Sequence, residues 1–163
     1  MLGIINMRTF GLASISDLKE LVKVAKSAFI DDERFKPREA IAGGPPGHDQ
    51  IERHREWLDS LLYYKCEEHG SIVGTCTVEI NGDDAKIHGI HVVSESMDQG
   101  IGSYMLREIQ AGMPNITKWT LITPDYAIRN QHFYEINGFA LKQRGDVEPD
   151  LGFGFYTYEK NVL

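Results

Sequence analysis

The sequence predicts an α/β fold of the α+β type, with a mixed, mostly antiparallel sheet of six to seven strands and helices on both faces. Segments with strand and helix periodicity follow one another in the order β-α-α-β-β-β-α-β-α-β-β. The turn sequence Asn81-Gly82 joins two strand segments as a hairpin. A glycine turn at Met97–Gly102 separates a strand from a helical pattern.

The length and composition of the chain are those of one globular domain. It has 163 residues, of which 42% are hydrophobic and 25% are charged, which is enough to bury a core. We therefore expect a single domain over residues 1–163. Met7 is an alternative start, in which case residues 1–6 are extra N-terminal sequence.

The first part of the chain predicts one strand and two helices. Arg8–Ala13 is the strand. Ser16 or Asp17 is expected to cap the first helix, and Asp17-Leu18-Lys19-Glu20 has the spacing of a capping box. A charged break at Asp31–Lys36 and a loop at Gly43–Gly47 precede a second helix, which begins near Asp49. The expected inward residues are Leu18, Leu21, Val22, Ala25 and Phe29 in the first helix, and Ile51, Leu58, Leu61 and Leu62 in the second.

Three successive strands are predicted in the middle of the chain. They are Tyr63–Glu67, Ile72–Ile80 and Ala85–Val93. A hairpin folded about Gly70 sets Cys66 near Gly74 and not opposite Cys76, so we expect two buried thiols, with a nucleophilic role as the alternative. Two cysteines without a disulfide framework are typical of a reduced, cytoplasmic protein.

The last part of the chain predicts a strand, a helix and two closing strands. The strand is Lys118–Thr123, and the helix runs from Ile128 to Asn137 with Gly138 as its C-terminal glycine. The closing strands are Phe139–Gln143 and Gly152–Tyr158. The aromatic side chains of the final strand either pair with a second subunit in a homodimer or fill the core.

The glycine turn is a candidate anion site. Glycines allow a ligand to approach the backbone closely, and the first turn of a helix presents unpaired N–H groups at the positive end of the helix dipole. We therefore expect the main chain of Met97–Ser103 to bind a phosphate group.

Charge and hydropathy disfavour several classes of function. The 24 Asp and Glu residues outnumber the 17 Lys and Arg residues, giving a net charge of −7, which disfavours nucleic-acid binding. This charge suits a cationic substrate, although a solvated acidic surface explains it equally well. The sequence has no long apolar run, so neither a membrane span nor a signal peptide is expected.

The histidines do not have the spacing of a metal site. His88 and His91 are three residues apart and are expected on opposite faces of a strand, so no metal site is predicted.

Two motifs resemble those of the GCN5-related N-acetyltransferase (GNAT) superfamily. Ile90–Gly102 is similar to the acetyl-CoA motif of that family, a strand followed by Gln/Arg-x-x-Gly-x-Gly/Ala. Asn130–Phe139 resembles its Asn-x-x-x-Tyr-x-x-x-Gly-Phe element. The two motifs cover about a third of the chain. Met97 stands where the family usually has Gln or Arg, and Asp98 where it often has Gly.

The resemblance implies an acetyl-CoA site and a set of residues that form it. The last strand residues would pair with the pantetheine arm, the glycine turn would bind the diphosphate, Asn130 would bond to the pantetheine, and Phe133 would line its sulfur end. The implied cofactor-binding residues are Ile90, His91, Val92, Met97, Asp98, Gln99, Gly100, Ile101, Gly102, Ser103, Asn130, Phe133 and Tyr134.

The resemblance also implies catalytic roles for two side chains. Tyr134 is the candidate acid for the leaving thiolate, because a phenol remains protonated at neutral pH; its alternative is a core aromatic. His88 is the candidate base or proton relay, expected on the strand face of Ile90 and Val92; its alternative is a half-exposed strand histidine. Glu79 on the neighbouring strand is a second candidate base.

We therefore expect a cytoplasmic N-acetyltransferase that moves an acetyl group from acetyl-CoA to a primary amine of a small molecule or peptide. By the same resemblance, the segment 29–47 would shape the acceptor pocket, and Asp31-Asp32-Glu33 is either an acidic lip for a cationic acceptor or a solvated loop. One alternative is a CoA-binding sensor or structural subunit with the same fold. Another is a nucleotide phosphate site, which the missing Lys-Ser/Thr of a P-loop disfavours.

Overall fold

The computed structural model describes residues 7–41 and 44–162, which form seven strands and four α-helices. The strands are β1 (Arg8–Leu12), β2 (Leu62–Glu68), β3 (Ser71–Asn81), β4 (Asp84–Val92), β5 (Lys118–Pro124), β6 (Ala140–Arg144) and β7 (Phe155–Asn161). The helices are α1 (Leu18–Asp32), α2 (Ile51–Ser60), α3 (Ile101–Gly112) and α4 (Ile128–Ile136). The proposed extra segment 1–6 lies outside the described residues.

All seven strands belong to one sheet in the order β1-β2-β3-β4-β5-β7-β6. Neighbouring strands are antiparallel except β4 and β5, which are parallel and connected through α3. The predicted mixed, mostly antiparallel sheet with helices on both faces is therefore confirmed. The final strand β7 lies inside the sheet, between β5 and β6, and its Tyr158 is buried in the core.

Helices α1 and α2 cover one face of the sheet. Leu21 and Val24 of α1 pack with Tyr63 and Ile72 of the sheet, and Trp57 of α2 lies against the same cluster. The fully buried residue of α2 is His54, not an apolar side chain. A polar group in this place requires hydrogen-bond partners, because burial without them is costly.

Helices α3 and α4 cover the other face and enclose the larger core. Leu106 and Ile109 of α3 and Tyr134 of α4 pack against Trp119 and Leu121 of β5. This side of the molecule anchors both the glycine turn before α3 and the candidate acid on α4.

The hairpin of β2 and β3 has the predicted register at its cysteines. Cys66 pairs with Gly74, and Cys76 pairs with Tyr64. Both cysteines are free and buried, and burial raises the pKa of the Cys66 thiol to about 11 and that of Cys76 further. Both thiols therefore remain protonated at neutral pH, as expected of core residues.

Several expected element boundaries were wrong. The capping box consists of Ser14 and Asp17, because the Ser14 N–H donates to Asp17 at 2.8 Å. The Glu20 side chain instead accepts from the N–H of Ile72 at 3.1 Å. Helix α2 ends at Ser60, and β7 begins three residues later than expected.

The charged break predicted after the first helix begins later than expected. Helix α1 continues through Asp32, and a 3-10 turn follows at Glu33–Phe35. This extension places Asp31 and Asp32 in the last turn of α1, so the helix sets the direction of each side chain.

Among the described residues, every helix is too short or too polar to span a bilayer.

Candidate active site

A cavity of about 300 Å³ lies where β4 separates from β5. The two strands pair only over Asp84–Ile87 and Lys118–Leu121, so the remainder of β4 diverges from β5 in the described structure. The cavity occupies this wedge and is bounded by the end of β4, the glycine turn, α1 and α4. It therefore touches helices from both sides of the sheet.

A β-bulge at His88 marks the point where β4 leaves β5. Ile87 pairs with Val78 and Gly89 pairs with Thr77, so His88 is the extra residue. A bulge bends the strand and increases its twist, which accounts for the divergence.

The bulge also changes the face on which His88 lies. Its Nε2 is 2.7 Å from Oε2 of Glu79, whereas Ile90 and Val92 pack with Ile101 of α3 on the opposite face. His91 packs against Phe29 of α1. The expectation that His88 shares a face with Ile90 and Val92, opposite His91, was therefore wrong, because a bulge resets the alternation of side chains.

The glycine turn presents main-chain donors to the cavity. Gly100 has a φ of +76° at the N-cap of α3, where no side chain caps the helix. The first helical bond of α3 comes from the N–H of Tyr104, which leaves the three preceding amides, of Ile101, Gly102 and Ser103, without such a bond. All three residues line the cavity, and this arrangement favours an anion.

Gly102 allows helices α3 and α4 to pack closely beside the cavity. A Cβ on Gly102 would lie 2.8 Å from the ring of Phe133. The absence of a side chain lets the Phe133 ring lie directly against the first turn of α3, and both residues line the cavity. Helices α3 and α4 are thereby in direct contact at the wall of the cavity.

The structure brings twelve of the thirteen implied cofactor-binding residues to the cavity wall. They are Ile90, His91, Val92, Met97, Asp98, Gly100, Ile101, Gly102, Ser103, Asn130, Phe133 and Tyr134. Gln99 does not line it, and its side chain donates to the backbone of Glu95 at 3.4 Å. The assignment of these residues to cofactor binding stays a prediction.

Tyr134 lines the cavity with its ring in the core. It is 7% exposed and packs edge-on against Phe133 and Phe139. Burial raises the pKa of its phenol, and the nearby Asp32 carboxylate raises it further. Tyr134 therefore keeps its proton at neutral pH and can donate it.

His91 lines the cavity on the side of α1. Its ring lies 4.8 Å from that of Phe29, and the ring of His48 lies 4.7 Å from the same Phe29. Burial lowers the pKa of His91 to about 4, with smaller contributions from His54 and His48. The imidazole is therefore neutral at physiological pH.

The candidate bases His88 and Glu79 do not line the cavity. They are bonded to each other at the exposed surface, and the hydrogen bond from His88 lowers the pKa of the Glu79 carboxyl. The structure thus places the candidate acid in the cavity and both candidate bases outside it. Within the described residues, no group of three or more His, Cys, Asp or Glu side chains is placed to hold a metal ion.

Two charged residues of the cavity wall were not predicted as site residues. Arg129 of α4 bonds to the Asp31 carboxylate and lies 3.0 Å from the sulfur of Met97 in the glycine turn. Asp32, the last residue of α1, accepts a bond from Asn130 at 3.2 Å. A cation directly before Asn130 in the motif was the signal available for Arg129. Asp32 was expected only as one residue of Asp31-Asp32-Glu33, interpreted as an acidic lip for a cationic acceptor or as a solvated loop.

Comparison with known proteins gives the fold and the family. The structure of the PaiA N-acetyltransferase from Thermoplasma acidophilum, solved with coenzyme A, matches with a TM-score of 0.78 at 17% identity, over 96% of this chain and 99% of that chain. The ribosomal-protein-S18-alanine N-acetyltransferase of Escherichia coli matches with a TM-score of 0.75 at 14% identity, over 96% and 94%. At these identities the likeness shows a shared fold.

The sequence comparisons agree with this likeness. The protein YrkN of Bacillus subtilis strain 168, described as uncharacterized, is 27% identical over 125 residues, which are 76% of this chain and 67% of that protein. A sequence profile described as an acetyltransferase (GNAT) domain matches residues 59–141, just over half of the chain. The matched segment includes β4, the glycine turn and α4. The chain therefore belongs to the GNAT acetyltransferase family.

Proposed function

We propose that this protein is an N-acetyltransferase that moves an acetyl group from acetyl-CoA to a primary amine of a small molecule or peptide. Transfer is direct, within a ternary complex. The observation that carries the proposal is a single cavity lined both by uncapped helix amides and by a protonated tyrosine. Main-chain donors suit a diphosphate, and a buried phenol suits protonation of a thiolate.

The described residues fit acetyl-CoA along the length of the cavity. The amides of Ile101, Gly102 and Ser103 bind the diphosphate, and Arg129 adds a positive charge beside the same turn. The end of β4, which has diverged from β5, offers backbone groups to the pantetheine arm. Acetyl-CoA supplies the activated acetyl group, and the PaiA enzyme of the same fold was solved with coenzyme A.

Tyr134 donates the proton that the departing sulfur needs. Tyr134 lines the cavity, and the raised pKa of its phenol keeps it protonated.

One observation favours a second function, a sensor or structural subunit that binds CoA without turnover. Asp98 places a carboxylate in the glycine turn, and Met97 supplies no hydrogen-bond donor there. Both features weaken diphosphate binding relative to the usual family sequence.

Calorimetry with CoA and acetyl-CoA, followed by a free-thiol assay with a panel of primary amines, tests the proposal. We expect binding at micromolar concentrations and amine-dependent thiol release. Tyr134→Phe should lower kcat by 100-fold or more while acetyl-CoA affinity changes less than threefold, because the hydroxyl acts on the leaving group. Phe139→Leu, a change in the same aromatic cluster away from the cavity wall, is the packing control.

Three outcomes would contradict parts of the proposal. Absence of binding up to millimolar CoA would exclude both functions. Binding without thiol release for any amine would favour the sensor. Equal turnover in the wild type and Tyr134→Phe would show that another group protonates the sulfur.

A further inference from the structure

Asp32 is the one residue of the acidic segment Asp31–Glu33 that lines the cavity. It lies one helical turn after Ala28 on α1, and both residues face the same space as Tyr134. Glu33 is exposed, and Asp31 is engaged in ion pairs with Arg34 and Arg129. The carboxylate of Asp32 thus enters the cavity from the α1 side, opposite the candidate acid on α4.

The carboxylate of Asp32 has one oxygen bonded and one available. Oδ2 accepts from Nδ2 of Asn130 at 3.2 Å, and Oδ1 has no hydrogen bond to another described residue. An ionised carboxylate has room for about four hydrogen bonds. Asp32 is therefore an incompletely satisfied acceptor in a cavity, where a donor from a ligand would complete it.

The surroundings of Asp32 make its carboxylate a better base than an exposed one. Burial raises its pKa, and the neighbouring Asp31 carboxylate adds to the rise. The Asn130 bond and the charges of Arg129 and Arg34 oppose this rise only in part. Tyr126 and Tyr134 are the other titratable groups near it, and the charge of Asp32 raises the pKa of both phenols. A carboxyl group whose pKa is raised toward neutrality accepts a proton more effectively.

We propose that Asp32 binds the ammonium group of a cationic primary amine and takes its proton before transfer. This inference rests on the proposed function and assigns the base that His88 and Glu79, outside the cavity, do not supply. The ammonium gives one proton to Asp32, which later passes it to water. The amine lone pair forms a bond to the acetyl carbon, and the bond from that carbon to sulfur breaks. Tyr134 protonates the sulfur, and the second proton of the nitrogen replaces the proton of Tyr134, leaving one hydrogen on the amide.

The role as a base can be separated from a purely structural role. Asp32 also holds Asn130, so loss of its side chain could disturb the cofactor end of the cavity. Asp32→Asn keeps the size and an oxygen acceptor for Asn130 but removes the negative charge. Glu33→Gln makes the same charge change one residue away, outside the cavity, and serves as the matched control.

The first experiment measures binding without turnover. Benzylamine, 1,4-diaminobutane and tyramine are titrated by calorimetry into the protein saturated with CoA, and benzyl alcohol serves as an uncharged probe. We expect at least one amine to bind to the wild type and to Glu33→Gln, and to bind at least tenfold more weakly to Asp32→Asn. If no amine binds, or if Asp32→Asn binds all three as tightly as the wild type, the proposal is overturned.

The second experiment compares an acceptor that must lose a proton before it can attack with one that is already uncharged. Asp32→Asn should lower kcat/KM for the bound alkylamine about 100-fold, and should lower it less than fivefold for aniline or a hydrazide, which are uncharged at neutral pH. Equal losses for charged and uncharged acceptors would assign Asp32 a purely structural role. Amine binding that depends on Asp32, without thiol release, would support ammonium binding by Asp32 while contradicting both its role as a base and the proposed transferase function.

Discussion

Asp98 is the residue of the glycine turn whose chemistry fits its position least well. It lines the cavity with a φ of +63°, a left-handed conformation that Asp tolerates better than most residues and Gly adopts freely. The family often has Gly here. Position 98 therefore adopts the left-handed conformation without Gly, but its side chain places a negative charge beside the predicted diphosphate site.

Removing the charge of Asp98 should tighten CoA binding. Two like charges several ångströms apart near a protein surface repel by about 1 kcal/mol, so Asp98→Asn should lower the Kd for CoA about fivefold at low salt. Asp98→Gly should have a similar effect, since Gly adopts the same backbone conformation. Calorimetry at low and high salt measures both variants, and screening should diminish the gain.

The Asn variant is the more informative of the two, because it changes the charge and not the backbone preference. An unchanged Kd for Asp98→Asn at every salt concentration would show that the Asp98 carboxylate points away from the bound phosphates. A gain seen in Asp98→Gly alone would assign the effect to the backbone.

A buried hydrogen-bond chain joins helix α2 to strand β2. Nε2 of His54 lies 2.6 Å from the carbonyl oxygen of His48, which can only accept, so this nitrogen carries a proton. Nδ1 therefore accepts from the hydroxyl of Tyr63, 2.8 Å away, in the neutral ring. Burial lowers the pKa of His54, which favours this neutral form. The chain fixes α2 and the turn before it on the sheet.

Tyr63→Phe should therefore destabilise the protein although it preserves the ring. The substitution leaves Nδ1 of the fully buried His54 without its donor, and an unsatisfied buried group costs about 1–3 kcal/mol. Tyr64→Phe is the matched control, because Tyr64 stacks on Phe10 and its hydroxyl has no hydrogen bond among the described residues. Urea unfolding measures both variants, and equal stability of the two would contradict the prediction.

Local sequence signals determine some elements and leave others open. Asn81-Gly82 and the glycine turn before α3 formed as predicted, because turns and helix starts depend on the conformations of one or two residues. The bulge at His88 was missed, although Gly89 directly after it was an available signal, because an isolated Gly within a strand often marks a bulge. The inward position of His54 was missed because an apolar pattern cannot reveal a polar core residue that finds partners elsewhere in the chain.

The same distinction applies to the site. The motif residues of the glycine turn and α4 are contiguous in sequence, and the structure gathers nearly all of them at the cavity. Asp32 comes from a distant helix and meets Asn130 only because the sheet brings α1 and α4 to the same wedge. Such a contact between residues about a hundred positions apart depends on the whole topology, so a single sequence contains no local pattern for it.

At the scale of the molecule, the divergence of β4 from β5 places one cavity in contact with both helical layers. The side of α3 and α4 supplies the amides and Tyr134, and the side of α1 supplies Asp32 and His91. The cavity is therefore lined by residues from both helical layers. The histidines on the α1 side also make the stability of the fold sensitive to acid.

His91 should destabilise the fold as the pH falls from about 6.5 to about 4. Its pKa is about 4 in the folded protein and about 6.5 in an unfolded chain, so in this range the unfolded state binds a proton that the folded state does not. Stability present above pH 6.5 is lost on acidification, by at most about 1.4 kcal/mol per pH unit for one proton. His91→Gln removes this proton, whereas His54 and the carboxyl groups titrate in both proteins. Urea unfolding at steps from pH 7 to pH 4.5 should show the wild type losing its stability more steeply than His91→Gln. A difference between the two proteins that stays constant with pH would mean that His91 is protonated as readily in the folded state as in the unfolded state.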